Sequence, residues 1–151
     1  MRPSQDNTTR VTIANDVAAI AVVAEALEKI GAKHGVPQEA LVALQVAVDE
    51  IISNVIKYAW KGGAHQVHVR ITAQADAVEV EVIDDGEAFN PLNAPRPRPS
   101  RKGLRPAPGG VGIHMVRQLM DAIEYSRKGT SNHTLMTKRC TLGAPRRRGV
   151  A

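Results

Sequence analysis

A chain of 151 residues, 43% of them hydrophobic, is long enough to bury one core and has little room for a second. Its single cysteine, Cys140, excludes an internal disulfide, and the polar opening Met1-Arg-Pro-Ser-Gln-Asp6 is neither a signal peptide nor a membrane span, so a cytoplasmic protein without membrane contact is expected. The formal net charge of +5 raises the question of nucleic acid, but much of the positive charge gathers in Arg96 to Arg105 and Arg146 to Arg148 without interleaved aromatic residues, and nucleic-acid binding is not expected.

In chain order, residues 1–9 read as a flexible N-terminus. Val11 and Ile13 alternate with polar neighbours and predict a strand over Arg10 to Ile13. Asp16 is expected early in a first helix, whose apolar positions Val17, Ile20, Ala21, Ala24, Leu27 and Ile30 recur at helical spacing. Gly35-Val-Pro37 breaks the chain before a second helix, from Gln38 to about Trp60, with Val48, Ile51, Ile52, Val55 and Ile56 as its buried stripe and Gly62-Gly63 as its stop. Val67, Val69 and Ile71, then Val78, Val80 and Val82, alternate with polar residues and predict a hairpin with one wet face. Its second strand runs into Ile83-Asp-Asp-Gly86.

From Pro91 to Pro108 lie six of the nine prolines, with basic residues between them. A segment of this kind contributes no packed element and reads as a mobile lid, because long structureless loops inside compact domains are usually functional. Gly109-Gly-Val-Gly112 leads into a third helix with Val111, Met115, Val116, Leu119 and Met120 as apolar positions. A last strand pair is expected at Ile123 to Arg127 and His133 to Cys140, joined through Gly129 to Asn132. Residues 142–151 read as a basic flexible tail.

Three pieces carry chemistry. Glu50 and Asn54 stand four residues apart, so a carboxylate and an amide share one helical face; exposed faces also carry such pairs without function. Asp84-Asp85-Gly86 lies where a buried strand emerges and equally fits a plain turn. The glycines before the third helix suit a helix start, and they also let backbone N–H groups approach a phosphate.

Their order and spacing shift the balance between these readings. A helix with Glu-x-x-x-Asn, a strand ending in Asp-x-Gly, a lid, and Gly-x-Gly opening a helix resembles the GHKL ATPases, most closely the bacterial anti-sigma-factor serine/threonine kinases, from Ile13 to Arg139. The resemblance implies the Bergerat ATP-binding fold over residues 10–141 with its lid at 91–108: a two-layer α/β sandwich (α+β) with a mostly antiparallel sheet and helices on one face. It implies ATP and Mg²⁺ as cofactors, with Asn54 on the metal, Glu50 as general base, Asp84 accepting from the adenine amino group, Gly86 leaving room for the ring, and Gly110 and Gly112 offering N–H groups to the phosphates. Tyr58 stands where many relatives have His, and Ala88 where the wider superfamily often has a second Gly. His114 reads as a structural helix residue, and Arg117 either supports the phosphates or pairs with Asp121. Neither a phosphoacceptor-histidine helix ahead of these boxes nor a transducer after them is expected. The family pattern is then a stand-alone, homodimeric kinase that phosphorylates a STAS-type anti-sigma-factor antagonist on Ser or Thr and alternatively captures a sigma factor. A second reading keeps the nucleotide as a structural ligand of a module that sequesters its partner without phosphoryl transfer.

Overall fold

The computed structural model describes residues 7–93 and 110–146. Its core is organised by α2 (Gln38–Tyr58), where Leu44, Ala47, Val48, Ile51, Ile52 and Val55 fall on one helical stripe and are buried. Truncating Ile51 to alanine there would cost about 2–5 kcal/mol, because the surroundings of a fully buried side chain relax only in part. Helix α1 (Ile20–His34) packs beside it through Ile20, Val23, Leu27 and Ile30. It ends at Gly35, whose φ of 63° is left-handed and whose N–H bonds to Gly31 O.

Among the described residues, five strands form one antiparallel sheet: β1 (Thr8–Ala14), β2 (Gln66–Gln74), β3 (Ala77–Asp84), β4 (Ala122–Lys128) and β5 (Ser131–Arg139), in the order β1-β2-β3-β5-β4. Alternation turns Val67, Val69, Ile71, Val78, Val80, Val82 and Met136 toward the helices, where they join the same core as α1 and α2. Helix α3 (Gly110–Leu119) adds Ile113 and Val116 to it. The expected two-layer arrangement, with helices on one face of an antiparallel sheet, is the one found.

Several details differ from expectation. The first strand begins at Thr8, paired with Thr72, two residues early. Val17 is 56% exposed and Val23 takes its place in the core. Val17–Ala19 is a 3₁₀ turn whose tighter winding does not run in phase into α1, and Asp16 precedes it as a cap, accepting from Ala18 N at 3.0 Å. Helix α2 stops at Tyr58, and Met115 of α3 is exposed. The outer face of the hairpin is less wet than its pattern implies: Glu81, only 8% exposed, is held by Arg70 Nη2 at 2.9 Å.

Of the lid, residues 94–108 lie outside the described residues, while Pro91–Asn93 form a short 3₁₀ turn in which Pro91 is buried. The segment expected as a tail is held at its near end. Gly143 N donates to Gly35 O at 2.8 Å, and Arg146 donates from its backbone to Ala32 O and from Nη2 to Val36 O, each at 2.7 Å. Among the described residues no helix is long and apolar enough to cross a membrane.

Candidate active site

Helix α2 carries two polar side chains into surroundings that otherwise bury hydrocarbon. Asn54 is fully buried; its Nδ2 donates to Pro91 O at 3.3 Å and, among the described residues, its Oδ1 has no partner. One turn earlier, Glu50 Oε1 is likewise buried without a partner among the described residues. A buried polar atom without a hydrogen bond costs about 1–3 kcal/mol, so two on adjacent turns mark a place built for something other than stability. Burial pushes the Glu50 carboxyl above its ordinary value; Lys57 pulls it back and Asp49 adds to the rise.

The opening of α3 closes over this pair. Gly112 lies so near Glu50 that a Cβ there would overlap the carboxylate. A glycine at this position therefore lets the start of a helix approach the Glu50 carboxylate. Gly110 is the first residue of the same helix. Backbone N–H groups at a helix start, a proton acceptor and a hard oxygen ligand are together suited to anionic phosphates, a divalent cation and a proton transfer.

The end of β3 supplies a second centre. Asp84 is 2% exposed, and its Oδ1 accepts from Gly86 N and from Asn132 Nδ2, each at 2.9 Å. Burial pushes its carboxyl up, against the Asn132 and Gly86 hydrogen bonds and the Arg127 charge, while Asp85 adds to the rise. The loop after β3 is fastened to the end of α2: Glu87 N donates to Ala59 O at 2.9 Å, and a Cβ on Gly86 would overlap that carbonyl. One helix thus ties both centres together, Glu50 and Asn54 along its length and Ala59 at its end. From the rise per residue, Glu50 and Ala59 are about 14 Å apart along the axis, which suits an elongated ligand with a polar ring at one end and charge at the other.

Sequence reasoning missed the residue that organises the Asp84 end. Asn132 is fully buried; its Nδ2 donates to Asp84 Oδ1 and to Glu87 O, and its Oδ1 accepts from the Tyr125 hydroxyl, from Arg127 Nη1 at 3.1 Å and from Phe89 N at 3.3 Å. Arg127 Nη1 also reaches Gly86 O at 2.7 Å. The hairpin turns at Gly129-Thr130, so Ser131 and Asn132 belong to β5 and Asn132 stands opposite Asp84. The signal was the register of β5, which its irregular alternation concealed. Asp121, an expected partner of Arg117, instead accepts from Arg139 N and pairs with Lys138 at 4.0 Å. His114 is exposed and lies 3.3 Å from Gln118. A cavity of about 600 Å³ also borders Asp84 and Asp85, but its walls His68, Ile83 and Ser131 face the side of the sheet without helices, away from Glu50.

Comparison with known proteins gives the family of this fold. Residues 13–138 match the histidine kinase-like ATPase domain, and the chain belongs to that family. It is 32% identical over 119 residues to the serine-protein kinase RsbW of Listeria monocytogenes serotype 4a, covering 74% of each chain. To the serine/threonine-protein kinase BtrW of Bordetella bronchiseptica it is 28% identical over 95 residues, 62% of this chain and 67% of the relative. A crystal structure of the RsbU and RsbW domains of a Mycobacterium tuberculosis protein matches with a TM-score of 0.61 at 17% identity, over 93% of this chain and 33% of that one. The resemblance to GHKL-type ATPases and to bacterial serine/threonine kinases is borne out.

Proposed function

We propose that the protein is a Mg²⁺-ATP-dependent serine/threonine protein kinase of the anti-sigma-factor type, acting in the cytoplasm as a homodimer. It phosphorylates a STAS-domain antagonist and, in the alternative state, holds a sigma factor. The observation that carries this reading is the pair of buried acceptors without a partner among the described residues, Glu50 Oε1 and Asn54 Oδ1, with Glu50 against Gly112 at the opening of α3.

Each residue has a part in the proposal. Bound Mg²⁺-ATP would supply the phosphoryl group, with the metal neutralising its charge. Asn54 Oδ1 is the protein oxygen that would hold the metal, an amide oxygen being a suitable ligand for a hard cation. Gly110 and Gly112 offer N–H groups to the phosphates without side chains in the way. Asp84 accepts from the adenine amino group; its Oδ1 already takes two donors, from Gly86 and Asn132, and these fix the carboxylate plane. Gly86 leaves the ring its space. Glu50 takes the proton of the partner's Ser or Thr hydroxyl, and a carboxyl raised by burial is a better acceptor than one in water. The proposed domain is residues 10–141, extended at its start by Thr8 and Thr9, with which β1 begins.

Relatives named as serine-protein kinases over most of the chain's length support the reaction class. The test is incubation with γ-labelled ATP and a STAS-domain antagonist from the same genome. Label is expected on the antagonist, and Glu50→Ala should abolish it while sparing ATP binding. Full labelling by that variant would remove Glu50 from the role of base. A tight complex that never transfers label would make the protein a nucleotide-dependent sequestering module instead.

A further inference from the structure

The hydrogen bonds that Asp84 makes among the described residues fall on one of its two carboxylate oxygens. Oδ1 accepts from Gly86 N and from Asn132 Nδ2, each at 2.9 Å. Two donors fill the two lone pairs of that atom, so Oδ2 is left to meet a ligand.

The Gly86 bond is local, from a backbone N–H two residues on. The Asn132 bond crosses from β5 to β3, where the register sets Asn132 opposite Asp84, and the amide that makes it is fully buried. That amide cannot turn over. Its Oδ1 faces Arg127 Nη1 at 3.1 Å and Phe89 N at 3.3 Å, which only donate, and its Nδ2 also donates to Glu87 O at 2.8 Å. Flipped, it would set N–H against N–H and oxygen against oxygen. Arg127 Nη1 reaches Gly86 O as well, at 2.7 Å, so one guanidinium fixes the amide and the loop together. Asp84 Oδ1 is held by a donor that has no other way to point.

A carboxylate with one free oxygen reads a base differently from one with two. The pairing edge of adenine offers a single donor, the 6-amino group. Guanine offers two adjacent donors, N1–H and the 2-amino group, which a carboxylate takes as a fork on both oxygens; seated as adenine sits, it would bring its 6-oxo acceptor against Oδ2 instead. We propose that Asn132 is a specificity-determining residue of the nucleotide site: by filling Asp84 Oδ1 it leaves one acceptor, enough for the exocyclic amine of a 6-aminopurine and too few for the fork that guanine needs. Asn132 acts through Asp84, and its part rests on the placement of Asp84 at the base in the function proposed above.

The test is calorimetric titration of ADP, GDP and inosine diphosphate, each with Mg²⁺, into the full chain. The wild type should prefer ADP to GDP by about a hundredfold or more. GDP and inosine diphosphate, which differ only in the 2-amino group, should bind it alike, because no fork forms. Asn132→Leu keeps the bulk and removes the donor, so the preference for ADP should narrow by about tenfold or more, with GDP gaining on inosine diphosphate. Partial unfolding lowers all three affinities together, so the ratios report the site and not the fold. Tyr125→Phe takes a donor from Asn132 but leaves the bond to Asp84, and should keep the wild-type ratios. A wild type that binds GDP more tightly than inosine diphosphate, or that does not prefer ADP, would overturn the proposal whether or not Asn132→Leu folds. So would an unchanged ratio in that variant. Asp84→Asn separates the two levels: if it leaves ADP binding intact, Asp84 is not at the base and both readings fall, whereas weakened ADP binding beside an unchanged ratio in Asn132→Leu removes only the role of Asn132.

Discussion

The Glu50 carboxylate occupies the space in which a side chain on Gly112 would begin. Gly112→Ala must therefore push the carboxylate aside. The obstacle is the end of a flexible side chain, so the fold should lose no more than about 1–2 kcal/mol. Phosphoryl transfer should fall by about tenfold or more, because a base displaced by even an ångström loses its geometry. Steady-state kinetics beside a denaturation curve checks this: a large fall in kcat with little loss of stability is expected.

Glu50 also sets a pH dependence. Burial raises its carboxyl above the ordinary value of 4.5, so the folded state holds the proton more tightly than the unfolded chain. Stability is then fully present below 4.5 and declines as the pH climbs from there through the raised folded value. Glu50→Gln removes the ionisation, so at neutral pH the variant should melt at a higher temperature than the wild type, and the gap should shrink toward pH 4. Thermal denaturation at the two pH values decides it. A less stable variant at neutral pH would show that the charged carboxylate is not a burden to the fold.

Asn132 holds the Asp84 end through both atoms of its amide. In Asn132→Ala the Tyr125 hydroxyl and Phe89 N lose their acceptor, and Asp84 Oδ1 loses one of its two donors. Urea denaturation should show a loss of about 2–4 kcal/mol, and the remaining folded protein should bind ATP more weakly. Tyr125→Phe removes one donor only and should cost about 1 kcal/mol.

Arg146 ties the segment after β5 to the turn between α1 and α2. Its Nη2 donates to Val36 O at 2.7 Å and to Gly31 O at 3.4 Å. Arg146→Ala should lower stability by about 1–2 kcal/mol and leave phosphoryl transfer unchanged, since nothing in the tie reaches Glu50 or Asp84. Thermal denaturation with a parallel labelling assay separates the two effects.

Much of this architecture is legible in the sequence because it is periodic. The stripe Val48, Ile51, Ile52 and Val55 and the alternation of Val67, Val69 and Ile71 are buried as the pattern requires. Glu50 and Asn54 stood out for the opposite reason, as polar groups on a helix with little surface to spare. Asn132 carried no such signal, because its importance lies in standing across from Asp84, and register is a relation between strands that β5's own alternation does not fix. Val17 was misread because a 3₁₀ turn shifts the helical phase. The docking of Arg146 was hidden because a side chain that caps distant carbonyls leaves no pattern in the residues around it.

That Asn54 and Asp84 serve one Mg²⁺-ATP site is tested most directly by calorimetric titration of ATP with Mg²⁺ into the wild type and into Asn54→Ala and Asp84→Asn. Saturable binding to the wild type is expected, weakened in both variants and, in Asn54→Ala, less responsive to removal of Mg²⁺. No binding to the wild type, or binding that both substitutions leave intact, would contradict the site.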